Sequence, residues 1–290
     1  MLGRPTREIQ APPEVERLLR QLRRRPRRGV RRSPAVSLTS VGARLAGFGE
    51  AAVEPLLAEL DELGDPGAVA LAAVGRPALP AIVRDLEGAS PRRRALLIRA
   101  LGMSGLAAAV APLRAQLATA DADARRAAGL ALERLAKGFA RALADGATRE
   151  QAMLVLERIG ALAAWPVGDA LRDPRRGLVA ARVMGRIGEA AVEPAMTVFL
   201  QSGRGLTPHG DPAATYAAEA LAQIGEPALD PLLAVLYDRR ERPPARAAAA
   251  RALGEMREVA EARLQEALLV NDEFVRRCAV TALGEAAPVE

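Results

Sequence analysis

The sequence is poor in the residue types that build metal, redox and aromatic binding sites. Its 290 residues contain one cysteine, one histidine and one tryptophan, and aromatic residues make up only 2%. A lone Cys278 forms no intramolecular disulfide, so nothing calls for an oxidising compartment. A lone His209 excludes a metal site built from several imidazoles. The scarcity of aromatic rings argues against stacking of bases or pigments.

Long apolar runs are missing as well. No stretch reaches the 18 or more apolar residues of a membrane span. Residues 1–34 are mostly Arg, Pro and Glu rather than the apolar core of a signal peptide. The expected location is therefore the cytoplasm.

Charge is distributed unevenly along the chain. The net charge is +6, but residues 1–32 alone hold eleven Arg and three Glu, a balance of +8. The rest of the chain is slightly acidic. Of the 41 basic residues only Lys137 is lysine, which is typical of the coding bias of a GC-rich, bacterial genome. We predict a basic, largely disordered N-terminal arm with a short helix over residues 1–33.

A local pattern returns about every thirty residues through the remaining chain. The segment Ile187–Pro194 is echoed at Phe48–Pro55 and at Ile224–Pro231. Repetition at this period is the signature of stacked two-helix units, and the abundance of Ala and Leu favours helix. Nine units align on the anchors Leu45, Leu71, Leu101, Leu132, Leu156, Met184, Leu221, Leu253 and Leu283.

Glycine and proline mark the joint inside each unit. Gly49, Gly75, Gly160, Gly188 and Gly225 are expected to end first helices in the left-handed conformation. Proline is tolerated in the first turn of a helix, where N–H groups lack intrahelical acceptors. Second helices are therefore expected to begin at Pro55, Pro112, Pro166, Pro194 and Pro231.

Aspartate and arginine recur at the junctions between units. Asp121, Asp145, Asp173 and Asp272 lie eleven residues before their anchors and are expected to cap the following helices. Arg94, Arg125, Arg149, Arg246 and Arg276 lie seven residues before theirs. The structural interpretation is an Asp–Arg ladder between units, and the functional alternative is a stripe of arginines for anionic ligands.

The chain resembles HEAT-repeat proteins, and specifically the short HEAT-like repeats of the phycobilisome-lyase (PBS lyase) type. The resemblance rests on the motif over residues 220–232 and on the unit start from Asp272 to Ala279, and it covers about residues 35–287. It implies an all-α, right-handed α-α superhelix of about nine helix pairs. The repeat domain is predicted over residues 34–290, with an insert loop at 201–211 and a last unit that lacks its second helix and acts as a cap.

The sequence lacks the catalytic signatures of enzymes with this fold. HEAT-like deoxyhypusine hydroxylases use several His-Glu pairs for iron, and the sequence contains none. A P-loop, a dinucleotide-binding glycine motif and a zinc-type Cys/His cluster are also missing. We therefore predict no enzyme activity, no catalytic residue, no cofactor, no metal and no evident small-molecule substrate.

The predicted function is a non-catalytic protein-interaction scaffold that binds an unidentified partner protein along a concave face lined by second helices. The first alternative is weak, non-specific association of the arginine-rich arm with nucleic acid or an anionic membrane. The second is a phycobilin-lyase-like or chaperone-like factor, which the resemblance implies. A solubilising role of the arm also remains open.

Candidate residues follow from these alternatives. Trp165 among small residues is typical of core filling, and the alternative is a ligand platform. Cys278 is expected to be buried and inert, and His209 to be solvated. The candidate partner-binding residues are Glu54, Glu59, Arg84, Arg114, Trp165, Asp169, Glu193, Arg204, His209, Asp230, Tyr237 and Arg263. The candidate anion-binding residues of the arm are Arg20, Arg23, Arg24, Arg25, Arg27, Arg28, Arg31 and Arg32.

Overall fold

Segments rich in alanine and leucine form α-helices throughout the described part of the chain. The computed structural model describes residues 11–23, 38–203 and 211–286, and no strand occurs within those ranges. Alanine and leucine lose little side-chain freedom in a helix, which explains the preference. The chain divides into two compact units, residues 1–135 and 136–290. The prediction of an all-α helical-repeat solenoid is confirmed.

Among its described residues, the first unit contains eight complete helices and most of a ninth. They are α1 (Pro13–Arg23), α2 (Leu38–Ala46), α3 (Val53–Ala58), α4 (Leu60–Leu63), α5 (Asp65–Val74), α6 (Leu79–Leu86), α7 (Pro91–Met103), α8 (Val110–Leu117) and α9 (Ala122–Ala142).

The part of the second unit that the structure describes contains nine further helices. They are α10 (Arg149–Ile159), α11 (Ala164–Ala170), α12 (Gly177–Ile187), α13 (Val192–Gly203), α14 (Pro212–Ile224), α15 (Glu226–Tyr237), α16 (Pro243–Glu255), α17 (Glu261–Ala267) and α18 (Glu273–Ala286).

Within each unit the helices form two layers. First helices of consecutive pairs pack side by side, as α2 does on α5, α5 on α7, α12 on α14 and α14 on α16. Second helices form the other layer, in which α3 packs on α6 and α11 on α13. The anchor residues from Leu45 to Leu253 are fully buried between the layers, whereas the last one, Leu283, is half-buried. This arrangement is a HEAT-like helical repeat fold.

The turns that connect the two helices of a pair are tighter than the sequence indicates. Short 3-10 turns follow several glycines, for example Gly160–Ala163 and Gly188–Ala191. Gly188 has φ 77° and ψ −142°, and Gly225 has φ 79° and ψ −137°. The positive φ was predicted, but ψ lies in the mirror image of the extended region rather than in the left-handed helical region. Glycine enters that region because it lacks a Cβ atom.

Most of these prolines lie where the repeat pattern predicts, in the first turn of a second helix. Pro55, Pro112, Pro166 and Pro194 are each the third residue of a second helix. Pro231 is an exception, because α15 begins directly at Glu226 and this proline lies inside it.

The fourth sequence repeat, whose anchor is Leu132, is not a helix pair, contrary to the prediction. The anchor Leu132 lies within α9, one continuous helix of 21 residues. The position four residues after the anchor, where other units have glycine, is Ala136. Without a residue that readily leaves helical geometry, the helix continues. The boundary between the two compact units of the chain, residues 1–135 and 136–290, falls inside this helix.

The junction residues act as predicted, with one restriction. Each of the four aspartates accepts a hydrogen bond from a backbone N–H two residues further on, as a helix cap does. All five arginines donate to backbone carbonyls near the end of the preceding segment, at Ala89, Thr119, Ala120, Leu143, Leu236 and Val270. In the described residues, ion pairs between these arginines and aspartates join consecutive repeats at two junctions. They are Arg94 with Asp121 and Arg246 with Asp272.

Helix α1 packs on the helices that follow it in the first unit. Its apolar residues Val15, Leu18, Leu19 and Leu22 are buried, and α1 contacts α2, α3 and α4. The polar residues Glu14, Glu16, Arg17 and Arg20 face outward. The remainder of the predicted arm, apart from Ala11 and Pro12, lies outside the described residues.

Among the described residues, no single helix is both long enough and apolar enough to cross a membrane. The consecutive segments Asp65–Val74 and Arg76–Leu86 are together long and apolar enough for a membrane span, but the chain bends by 110° between them.

Candidate functional site

Trp165 is the largest exposed aromatic side chain of the second unit. It retains 51% of its accessible surface, although its helix α11 buries Ala164, Pro166, Val167, Gly168 and Ala170. The interpretation of Trp165 as core filling is therefore wrong. Helix α11 has only seven residues, and its small side chains already fill the space against α12 and α13, so the indole faces solvent.

Two exposed carboxylates lie on α11 and on the neighbouring helix α13 of the second-helix layer. Asp169 is exposed and follows Trp165 by four residues, so both lie on one face of α11. Gly168 approaches Pro194 of α13 so closely that an added Cβ atom would lie 2.9 Å from the proline Cβ. Glu193, exposed, precedes that proline. The contact therefore brings the segments that carry Asp169 and Glu193 together.

Farther along the same layer, α15 and α17 are joined by a partly exposed polar group. Arg263 Nη2 lies 3.3 Å from Asp230 Oδ1, and its Nη1 lies 3.6 Å from Glu266 Oε2. Burial raises the pKa of Tyr237, the carboxylate of Glu266 raises it further, and Arg263 opposes both. Asp230, Tyr237 and Arg263, three of the predicted site residues, therefore belong to one cluster.

Acidic residues predominate on the second helices of this unit. With their 3-10 turns, these segments contain eight acidic and two basic residues. The acidic residues are Asp169, Glu189, Glu193, Glu226, Asp230, Glu258, Glu261 and Glu266, and the basic residues are Arg257 and Arg263. The surface therefore carries a negative charge. We call the exposed part of α11, α13, α15 and α17 the acidic layer.

The predicted site residues of the first unit are paired with one another or with neighbours. Arg84 Nη2 lies 2.8 Å from Glu54 Oε1. Glu59 is half-buried, and its Oε1 lies 2.6 Å from Arg23 Nη2. Exposed pairs of this kind contribute roughly 0–1 kcal/mol to stability. They leave less unpaired charge for a partner than the acidic layer does.

Arg114 is exposed on α8. It also takes part in an interaction within the chain.

Sequence reasoning missed Arg93, which organises the polar contacts of the first unit. Its guanidinium lies 2.8 Å from Asp61 Oδ2 and 2.6 Å from Asp85 Oδ2, and Nη2 also donates to the carbonyl of Leu57. Burial lowers the pKa of this guanidinium, but the two carboxylates outweigh burial and raise it. Arg93 lies eight residues before the anchor Leu101, whereas the recurring arginines lie seven residues before theirs. The repeat periodicity therefore did not single it out.

The predicted arm and insert loop fall largely outside the described residues. Arg20 is exposed on α1, and Arg23 pairs with Glu59. Arg204 and His209 lie outside the described residues, as do Arg24, Arg25, Arg27, Arg28, Arg31 and Arg32. Helix α13 extends through Gly203, and Asp211 caps α14 by accepting from the N–H of Ala213. A role of either segment stays a prediction.

Cys278 is only half-buried, although it was expected to be buried. Burial raises the pKa of the Cys278 thiol, although Arg246 and Arg277 oppose the shift, so the thiolate is disfavoured. Within residues 11–23, 38–203 and 211–286, no three His, Cys, Asp or Glu side chains are grouped as metal ligands.

Comparison with known proteins bears on the fold alone. No protein-family model matches the sequence, and no curated protein is significantly similar to it. One similar solved structure is an engineered protein with 17% identity, covering 94% of this chain and 88% of that chain at a TM-score of 0.34. Human deoxyhypusine hydroxylase in complex with glycerol has 19% identity, covering 94% and 96% at a TM-score of 0.31. A second engineered protein has 17% identity, with the same coverages and a TM-score of 0.28.

These structures correct one prediction. The prediction of no enzyme activity, which was drawn from missing catalytic motifs, is contradicted, because deoxyhypusine hydroxylase is an enzyme. At 19% identity and a TM-score of 0.31, the match does not give this chain that enzyme's activity.

Proposed function

We propose that the protein is an interaction scaffold that binds another protein through the acidic layer of its second unit. The observation that carries the proposal is the exposure of Trp165, which keeps 51% of its surface on a helix whose other apolar side chains are mostly buried. Tryptophan contributes more binding energy at protein interfaces than most residue types, because a large apolar surface is buried with little loss of side-chain freedom.

The charge of the acidic layer indicates the chemistry of the partner. Asp169 and Glu193 flank the contact between α11 and α13, and Trp165 lies on the same face as Asp169. A basic side chain of the partner would interact with these carboxylates, and its cation would also be attracted to the indole face. We therefore propose a partner with a lysine- or arginine-rich segment.

The repeat subtype is part of the same proposal. The spacing of about thirty residues and the glycine–proline joints support short HEAT-like repeats of the PBS lyase type. Repeats of this kind present one helix layer as an extended binding surface. Location in the cytoplasm and a concave form of the second-helix layer remain parts of the proposal.

Quantitative affinity capture tests the proposal. The full chain and two variants, Trp165→Ala and Leu269→Ala, would be used as baits, and the recovered proteins compared by mass spectrometry. Leu269 is the matched control because it is apolar, 88% exposed and outside the second helices. We expect one set of basic proteins to be lost with Trp165→Ala and retained with Leu269→Ala. Identical recovery with all three baits would refute the proposal.

A further inference from the structure

An apolar groove with two arginines at its rim runs between two first helices of the first unit. It is lined by Ala95, Ile98, Arg99 and Gly102 of α7 and by Ala127, Leu130, Ala131 and Arg134 of α9, and its volume is about 240 Å³. This groove lies in a different unit from the acidic layer, and nothing in the proposed function requires it.

Small residues create the groove. A Cβ atom at Gly102 would lie 2.6 Å from the Cβ of Ala131, so α7 and α9 are nearly in backbone contact at that level. Ala95 and Ala127 have short side chains and leave the space above this contact unfilled. Ile98 is buried beneath it, whereas Leu130 keeps 60% of its surface. The groove thus has an apolar floor and one exposed leucine at its side.

The rim of the groove is basic. Arg99 is exposed and its Nη1 lies 2.7 Å from Asp65 Oδ1, a pair whose two side chains are each about half-exposed or more. Arg134 is exposed, and no ion pair or hydrogen bond of its side chain is found within the described part of the chain. Helix α7 contains four arginines and no acidic residue. Arg93, Arg94 and Arg99 of this helix are paired with carboxylates, so the unpaired positive charge at the rim is that of Arg134.

We infer that this groove binds a short acidic amphipathic segment of a second partner protein. A volume of about 240 Å³ is below the roughly 300–1,000 Å³ of small-molecule pockets, and suits one or two bulky apolar side chains. Carboxylates next to those side chains would meet Arg134 and Arg99, which gives charge complementarity. A helix that lays an apolar stripe into a groove between helices is a recurrent form of peptide recognition.

The test uses the full chain and two labelled peptides of equal length. In one peptide leucines at helical spacing are flanked by glutamates, and in the other the same leucines are flanked by lysines. Binding would be measured by fluorescence anisotropy up to millimolar protein. Ala95→Leu fills the groove, Arg134→Glu reverses its rim charge, and Arg126→Glu reverses an exposed charge on the same helix that does not line the groove.

We expect the acidic peptide to bind, and its affinity to fall at least tenfold with Ala95→Leu and with Arg134→Glu but less than twofold with Arg126→Glu. Equal binding of the lysine peptide, an undiminished affinity with Ala95→Leu, or no binding at millimolar protein would overturn the inference. A dimer in sedimentation that Ala95→Leu dissociates would also overturn it, because the occupant would then be a second copy of the chain. Circular dichroism of each variant establishes that the fold is retained.

Discussion

Arg246 Nη2 lies 3.2 Å from Asp272 Oδ2, across the junction between the last two aligned units. The arginine is 7% exposed, its Nε donates to the carbonyl of Leu236 at 2.8 Å, and its guanidinium carbon lies 4.7 Å from the centroid of the Phe274 ring. One side chain therefore joins the end of α15, the start of α18 and an aromatic ring. The junction arginines serve structure in this way, which supports the ladder interpretation over a stripe for anionic ligands.

Removal of the Arg246 charge should destabilise the protein strongly. Arg246→Met keeps most of the side-chain volume but leaves the carbonyl of Leu236 without its donor and removes the buried ion pair. We expect a loss of about 2–4 kcal/mol in the free energy of unfolding, measured by urea denaturation. The matched control is Arg239→Met, because Arg239 contacts the same carboxylate with a side chain that is 74% exposed. The control should change stability by at most about 1 kcal/mol. Equal losses would show that burial of Arg246 is unimportant.

The capping aspartates should make stability depend on pH in the acid range. Hydrogen bonds from the N–H groups of Ala124 and Arg175 lower the pKa of Asp121 and Asp173, respectively. Burial opposes ionisation of Asp272, but the N–H of Val275 and the guanidinium of Arg246 outweigh it and lower that pKa.

A carboxyl whose pKa is lower in the folded state stabilises the protein above its unfolded pKa of about 3.9. That contribution is lost as the pH falls through the folded value. Unfolding by urea between pH 6 and pH 2 should therefore show decreasing stability below about pH 4. The triple Asp→Asn variant at these positions keeps the caps but cannot titrate, so its stability should fall less over that range. An unchanged pH profile would contradict this explanation.

Substitution of a joint glycine should be costly although there is space for a side chain. Gly188 has φ 77° with no atom within 4 Å of an added Cβ. Gly188→Ala should therefore cost about 1–3 kcal/mol through backbone strain alone. Gly129, inside α9, has equally open space but no positive φ. Gly129→Ala should stabilise the protein by about 0.5–1 kcal/mol. Thermal unfolding of both variants measures the two effects, and effects of the same sign would be inconsistent with the backbone explanation.

The Cys278 thiol should react slowly in the folded protein. Burial raises its pKa, so the thiolate fraction at pH 8 is below that of an unfolded cysteine. Alkylation by iodoacetamide should be several-fold slower in buffer than in 8 M urea. A folded rate equal to or above the unfolded rate would show that the site is exposed and activated.

Much of the repeat architecture could be predicted because its signals are local. Glycine at a helix end, aspartate at a helix start and a buried leucine every thirty residues each act through backbone geometry or burial close in sequence. The continuation of α9 could also have been predicted, since Ala136 stands where other units have glycine. The 3-10 turns after Gly160 and Gly188 depend on how closely the two helices of a pair pack, and periodicity does not determine that distance.

The candidate site was less predictable for a physical reason. Whether Trp165 is buried depends on which neighbours already fill the space around a helix of seven residues. The pairing of Glu59 with Arg23 depends on the docking of α1, and the pairing of Asp230 with Arg263 on the register of α15 against α17. Such contacts join residues about thirty positions apart, and composition alone does not specify them.

The dissociation constant of the captured partner for three forms of the full chain provides the sharpest test. The forms are the unmodified protein, Trp165→Ala and Leu269→Ala, compared by isothermal titration calorimetry. An anchor tryptophan is worth about 2 kcal/mol or more at an interface, so Trp165→Ala should raise Kd about 30-fold, while Leu269→Ala leaves it unchanged. A Kd for Trp165→Ala within twofold of the unmodified protein would contradict binding through the acidic layer.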